Sequence, residues 1–292
     1  MRLVICIDDT DNLDSRGTGT IAEEIKELIA ESGFGSCSFT TRHQLLLHRD
    51  IPYTSHNSSM CFECDIRDDA YEAVEKAATE YLRRESAEGS DPGICIAKRI
   101  EGLNESALIE FGLKAKRQVL TKEDAYRTAA RANVYLQEVG GTGQGIIGAL
   151  AGVGLRIEGN DGEVKGGVEE FRKGELYTVE QLLSNPAIEA VYDGSFNSLP
   201  GDQKVLIVWK AKPVIVDKRP VLLVSWDEEA QVWRSMSKKE MRAFGNESTY
   251  KKVCRAFTFD VEEELVSEDE RSCLNCRYRR WTDNSFSCAY KG

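Results

Sequence analysis

The segment that most constrains the fold lies at the start of the chain. Residues 2–7, Arg-Leu-Val-Ile-Cys-Ile, carry a nearly unbroken apolar run. A strand with one wet face alternates apolar and polar side chains, so this run predicts a central strand covered on both faces. It stops at Asp8, Asp9 and Asp11, after which a polar, glycine-containing loop continues to Gly19. Ile21, Ile25, Leu28 and Ile29 then share one helical face, with Glu23, Glu24, Lys26 and Glu27 mostly on the other and Gly33 as a stop. The opening reads strand, acidic loop, helix.

Further along, residues 36–48 and 58–66 read as strands on either side of a turn-rich stretch over 50–57. Tyr71, Val74, Ala77, Ala78 and Tyr81 line one face of a helix. Asp91-Pro92-Gly93 marks a break before a strand over 94–97. Thr121 opens another helix, with Asp124 completing an approximate capping box. The glycine-rich stretch 140–154 runs into an apolar helix, and strands over 174–179, 205–209 and 221–226 follow. The pattern predicts an α+β or α/β protein. Its 292 residues suffice for two compact domains and a small third one. The expected division is 1–90, 91–215 and a cysteine-containing extension over 216–292.

No stretch has the apolar length needed to cross a bilayer, and the run over 3–7 is too short for a secretory core. Nine cysteines without an export signal predict reduced thiols and a cytoplasmic protein. The net charge of −11 matches a nucleic-acid backbone poorly unless a local basic patch overrides it, and suits a cationic amine substrate at least as well.

Asp8, Asp9 and Asp11 repel one another unless a cation neutralises them. In open α/β folds the carboxyl end of a strand is where ligands bind. Mg²⁺, which shares its shell among carboxylate, water and phosphate oxygens, is the expected cation, and a nucleotide such as ATP the expected ligand. In the same loop Arg16 is placed to hold a phosphate oxygen, and Gly17 and Gly19 let backbone approach it. Thr18 or Thr20 is expected to cap the following helix. The plainer alternative is a solvated acidic turn.

Gly141, Gly143 and Gly145 belong to a segment that is either a phosphate cradle before a helix or a loop joining two helices. Thr41-Arg42-His43 and His56-Asn57-Ser58-Ser59 place polar side chains on two adjoining strands, to orient a ligand or to satisfy one another. In the tail, Cys273, Cys276 and Cys288 are spaced C-x2-C-x11-C, and Cys254 is the candidate fourth ligand for Zn²⁺, ahead of an iron–sulfur cluster or a plain thiol tail. Arg277, Tyr278, Arg279, Arg280 and Trp281 form a basic-aromatic patch suited to stacking and phosphate contact. Cys61 and Cys64 are also C-x2-C, but side chains three apart on a strand face opposite ways.

Taken in order, these pieces resemble archaeal tRNA-isoleucine agmatinylcytidine synthetase. The resemblance rests on Ile7-Asp8-Asp9-Thr10-Asp11, Arg16-Gly17-Thr18-Gly19-Thr20, Ile51-Pro52-Tyr53 with His56-Asn57-Ser58, Asp91-Pro92-Gly93 and the glycine segment 141–151. It covers roughly residues 1–165. It implies a kinase-like ATP-using domain followed by a ferredoxin-like domain that helps to hold agmatine. It also implies phosphoryl activation of the cytidine C2 oxygen and displacement by the agmatine amine. Asp8, Asp9 and Asp11 would be the catalytic metal ligands, and Thr20, or alternatively Thr18, the phosphorylated threonine. Thr10, Arg16, Gly17, Asn57, Gly141, Gly143 and Gly145 would lie along the nucleotide. Family members carry further RNA-binding modules beyond these domains. The competing readings are a small-molecule kinase or amine ligase on the same core, and a nucleotide-binding regulatory protein.

Overall fold

The computed structural model describes residues 1–12, 14–48, 50, 51, 57–236, 240, 258–261, 276–281 and 286–289. The chain divides into two compact units, Met1–Lys165 and Gly166–Gly292.

The first unit runs β1 (Arg2–Asp8), α1 (Thr18–Glu31), β2 (Gly35–Cys37), β3 (Thr41–Gln44), β4 (Ser58–Ile66), α2 (Tyr71–Glu85), β5 (Gly93–Lys98), α3 (Glu105–Ala115), α4 (Lys122–Ala132), β6 (Tyr135–Glu138), α5 (Gly145–Glu158) and β7 (Glu163–Val164). Its strands lie in the order β6-β5-β1-β4-β3-β7, and β2 also pairs with β4. All of these pairings are antiparallel. β1 is central, as its composition predicts. Because it pairs antiparallel on both sides, the ligand-crevice rule for parallel sheets does not place a site at its end. Asp8 instead lies opposite Gly93, at the start of β5.

Both faces of β1 are covered. Leu3, Ile5 and Ile7 pack with Ile21 and Ile25 of α1 and Val74 and Leu82 of α2. Val4 and Cys6 belong to the opposite core, with Leu108 of α3 and Ile146 and Leu150 of α5. Burying each large aliphatic side chain contributes about 1.5–3 kcal/mol, as an upper bound because the unfolded chain is itself partly collapsed. Cys61 and Cys64 fall in the two different cores, as strand geometry requires.

α4 has the capping box expected of Thr121 and Asp124, with both reciprocal bonds formed. α1 departs from expectation. Its N-cap is Gly17, with no side-chain cap, and Thr18 is already its first helical residue. The Thr18 hydroxyl is drawn back into the acidic loop and so does not turn to the backbone N–H groups of the helix.

In the second unit, β8 (Leu176–Thr178), α6 (Val179–Leu183), β9 (Ala190–Tyr192), β10 (Lys204–Leu206), β11 (Val214–Val216), β12 (Arg219–Asp227) and β13 (Val232–Ser235) follow one another. Its strands lie in the order β11-β12-β13-β10-β8, with β9 beside β12. The β9–β12 and β10–β13 pairs are parallel. A hairpin of β14 (Arg279–Trp281) and β15 (Phe286–Cys288) stands in a sheet of its own. The chain is thus a mixed α+β protein. Among the described residues no helix is long and apolar enough to cross a membrane.

Candidate active site

Asp8 ends β1 and is 8% exposed. Asp9 adopts a left-handed backbone, φ 55°, which turns the chain out of the strand. Non-glycine residues rarely do this, although aspartate tolerates it better than most. Thr10, fully buried, donates its hydroxyl hydrogen to Thr18 Oγ1 at 3.0 Å, and Thr18 donates in turn to Asp11 Oδ1 at 3.0 Å. This chain of hydroxyls ties the acidic loop to the first residue of α1. Thr20 is two residues on, partly exposed, with its N–H donated to Gly17 O at 3.0 Å. Thr18 is therefore the threonine that meets Asp11.

Burial pushes the Asp8 carboxyl well above the usual range, and the charges of Asp9 and Asp11 add to the effect. Asp9 is raised to about 6, first by burial, then by the charges of Asp91 and Asp11. Asp11 is raised by burial against the opposing hydrogen bond from Thr18. Three carboxyls raised by burial, Asp8 and Asp9 also by neighbouring negative charge, describe a place that gains when a cation enters it.

Arg16 is held elsewhere. Its guanidinium bridges Glu24 Oε1 at 2.6 Å and Glu85 Oε2 at the exposed edge of α1 and α2. Gly17 has open space around its α-carbon.

The glycine-rich segment is docked against the same place. A Cβ at Gly148 would overlap Asp8 Oδ2, so with any other residue there either the Asp8 carboxylate turns aside or α5 moves off the end of β1. Gly141 and Gly143 have φ of +56° and +73°, which favour glycine. Asp91 clamps the loop: Oδ2 accepts the Thr142 hydroxyl at 2.7 Å, Oδ1 accepts the Thr142 N–H, and the Asp91 carbonyl accepts the Gly145 N–H at 2.9 Å. The Gly143 N–H goes to Gly140 O at 3.1 Å. The N–H groups of Thr142, Gly143 and Gly145 are thus engaged within the protein. Asp91, whose charge also reaches Asp9, is a site residue that sequence reading missed. The Asp91-Pro92-Gly93 break was visible, but its pairing with Thr142 was not.

Several of the polar residues on β3 and at the start of β4 are hydrogen-bonded within the protein. His43, fully buried, lies between Thr41 Oγ1 at 2.8 Å and Asp161 Oδ1 at 2.9 Å, and Asp161 Oδ2 accepts from Lys116 Nζ. Burial holds the His43 imidazole below its ordinary value, against the pull of Asp161. Arg42 donates to Ser58 Oγ at 3.2 Å and Gln44 Oε1 at 3.0 Å. Asn57 donates to Leu46 O at 2.6 Å and accepts from Leu45 N–H and the Gln44 amide, which closes the hairpin end. Residues 52–56, including Pro52, Tyr53 and His56, lie outside the described residues.

Of the cysteine tail, Cys254 and Cys273 lie outside the described residues. Cys276 is buried, and Cys288 on β15 lies opposite Arg279 on β14. Arg279 is 1% exposed and paired with Asp260 at 3.3 Å. It is a buried structural cation, so the expected basic-aromatic surface lacks it.

As for a metal, among the described residues no three His, Cys, Asp or Glu side chains converge as a ready-made cage. The acidic loop therefore suits a cation that takes one or two carboxylates and completes its shell with water and phosphate. Mg²⁺ typically binds in that way, and the hard oxygen donors fit it.

Fold and site together define a class: an antiparallel α+β core whose central strand ends in a largely buried aspartate, Asp8, followed by half-buried Asp9 and Asp11 and roofed by a glycine-rich helix. No family model matches the chain. An uncharacterised protein of Methanocaldococcus jannaschii is 28% identical over 155 residues, 53% of this chain and 50% of that protein, so the chain spans half the length of the curated relative it matches. Among solved structures, a tRNA fluorescent labeling enzyme is 27% identical with a TM-score of 0.46, over 53% of this chain and 36% of that one. The complex of TiaS with tRNA and ATP is 26% identical, with the same TM-score and the same shares covered.

Proposed function

We propose that the chain is an ATP-dependent enzyme of the tRNA-isoleucine agmatinylcytidine synthetase type, which activates an acceptor oxygen by phosphoryl transfer and lets a cationic amine displace the phosphate. One observation carries the reading: the Thr18 hydroxyl is hydrogen-bonded to Asp11 within a half-buried cluster that also contains Asp9 and the buried Asp8. The motif resemblance over residues 1–165 supports it. Mg²⁺ held by one or two of the carboxylates of Asp8, Asp9 and Asp11 would supply charge neutralisation for the cluster and for the nucleotide phosphates. Asp11, 3.0 Å from the Thr18 hydroxyl, would take its proton as that oxygen attacks the γ-phosphorus and ADP leaves, and the acceptor oxygen would then take the phosphoryl group from Thr18. Thr10, donating to Thr18 Oγ1, directs the Thr18 hydrogen toward Asp11. Asp91 and Gly148 keep the roof of the site in place. Agmatine, or another amine of that kind, suits the surplus of negative charge, and tRNA would supply the acceptor base.

A second reading, a kinase or amine ligase for a small molecule, is favoured by the net charge of −11 and by the burial of Arg279 in an ion pair. One experiment separates the two. The protein is incubated with labelled ATP, Mg²⁺, agmatine and total tRNA, each omitted in turn. Turnover beyond one phosphoryl group per chain that fails without tRNA supports the first reading. Turnover indifferent to tRNA supports the second, and no turnover in any mixture contradicts both.

A further inference from the structure

Two of the nine cysteines stand in a relation that phosphoryl chemistry does not use. Cys37, the last residue of β2, lies directly opposite Cys64 on β4, and the two Sγ atoms are 2.7 Å apart. The Ser38 N–H donates to Glu63 O at 2.8 Å on one side, and the Arg67 N–H donates to Phe34 O at 2.9 Å on the other. In an antiparallel ladder, hydrogen-bonded and non-hydrogen-bonded pairs alternate, and these bonds leave Cys37 and Cys64 at a non-hydrogen-bonded position. There α-carbons approach to about 4.5 Å, within the roughly 4.4–6.8 Å that a disulfide spans. The bond can form without moving the backbone.

The other cysteines of this unit are differently placed. Cys6, Cys61 and Cys95 are neighbours across β4, β1 and β5, but all are fully buried in the core beneath α5. Cys37 is half-buried and reachable from solvent. The hydrogen bond from Cys64 holds the Cys37 thiol below its ordinary value despite partial burial, and the charge of Lys26 on α1 helps. Cys64 is pushed up by the same contact and by burial. The exposed member of the pair is thus the better thiolate, and the buried member keeps its proton.

We propose that Cys37 and Cys64 form a redox-active dithiol that closes to an intramolecular disulfide by exchange with a low-molecular-weight disulfide. The Cys37 thiolate attacks one sulfur of that molecule, forms a mixed disulfide and expels the first thiolate. Cys64 then attacks the Cys37 sulfur and expels the second thiolate, which receives the proton that Cys64 loses. The small disulfide is reduced to two thiols as the protein dithiol is oxidised. The new bond pins the three-residue strand β2 to β4. The inference does not depend on the phosphoryl-transfer reading.

The test uses the full chain equilibrated in buffers of graded reduced-to-oxidised glutathione ratio, quenched in acid, denatured, alkylated and mapped by peptide mass spectrometry. The Cys37 and Cys64 peptides are expected to become linked, lighter by the two hydrogens lost, as the buffer becomes oxidising. In Cys64→Ser, Cys37 is expected to keep glutathione as a stable adduct. The proposal is overturned if both cysteines stay alkylated across the series. It is equally overturned if wild-type Cys37 retains an unresolved glutathione adduct, or if the linkage forms through Cys6, Cys61 or Cys95 instead.

Discussion

Gly148 lies against the carboxylate of Asp8, so close that a methyl group at residue 148 would overlap Oδ2. The end of β1 and the first turns of α5 are therefore one structural unit, and the position of the acidic cluster depends on a residue 140 positions away, the difference between 148 and 8.

Gly148→Ala should displace Asp8 or lift α5. The expected cost is about 1–3 kcal/mol, as for overpacked cores, with at least a tenfold loss of ATP turnover. Gly17→Ala is the contrast: Gly17 has φ −72° and open space where a Cβ would go, so its thermal unfolding should be unchanged. Equal stability of the wild type and Gly148→Ala would show that the close approach does not constrain the site.

Thr18→Val removes the donor to Asp11, and Thr20→Val does not. Phosphopeptide mapping after incubation with ATP and Mg²⁺ should find phosphate on Thr18 in the wild type and in Thr20→Val, and none in Thr18→Val. Phosphate on Thr20 would reassign the acceptor.

Asp9 gives a pH prediction with a definite sign. Its folded-state value is raised to about 6 from the ordinary 3.8, so the folded chain holds this proton more tightly than the unfolded one. The associated stability is fully present below the unfolded value and is lost as pH rises through about 6. At neutral pH the penalty is at most about 3 kcal/mol, at 1.36 kcal/mol per pKa unit. In metal-free buffer, Asp9→Asn should melt above the wild type at pH 7.5, and the gap should close near pH 4. An unchanged gap between these pH values would place the Asp9 penalty elsewhere.

Much of this unit could be read from local pattern. The apolar run of β1, the helix after the acidic loop and the Thr121–Asp124 capping box all depend on neighbours a few residues apart. What could not be read depends on partners far along the chain. β5 completes the sheet of β1, and His43 finds its carboxylate 118 residues later at Asp161. The glycines over 140–148 are visible as a cluster, but their reasons lie in Asp91 and Asp8, which no spacing rule connects to them. Thr18 and Thr20 looked equivalent as caps, and only the folded loop shows which hydroxyl turns toward Asp11. Arg279 looked like a surface cation because nothing local announces its burial against Asp260.

Asp91→Ala removes the two acceptors that clamp Thr142. Hydrogen exchange at residues 141–145 should quicken, and the KM for ATP should rise more than kcat falls, because the loop frames the site without carrying the transferred group. Unchanged exchange there would mean that the loop is held by its remaining backbone bonds.

The acidic cluster of Asp8, Asp9 and Asp11 is expected to hold the cation that seats ATP. Titration calorimetry of ATP into the wild type and Asp8→Asn, each with and without Mg²⁺, tests it most directly. Binding is expected to require Mg²⁺ in the wild type and to weaken at least tenfold in Asp8→Asn. ATP binding of equal strength in all four titrations would contradict it.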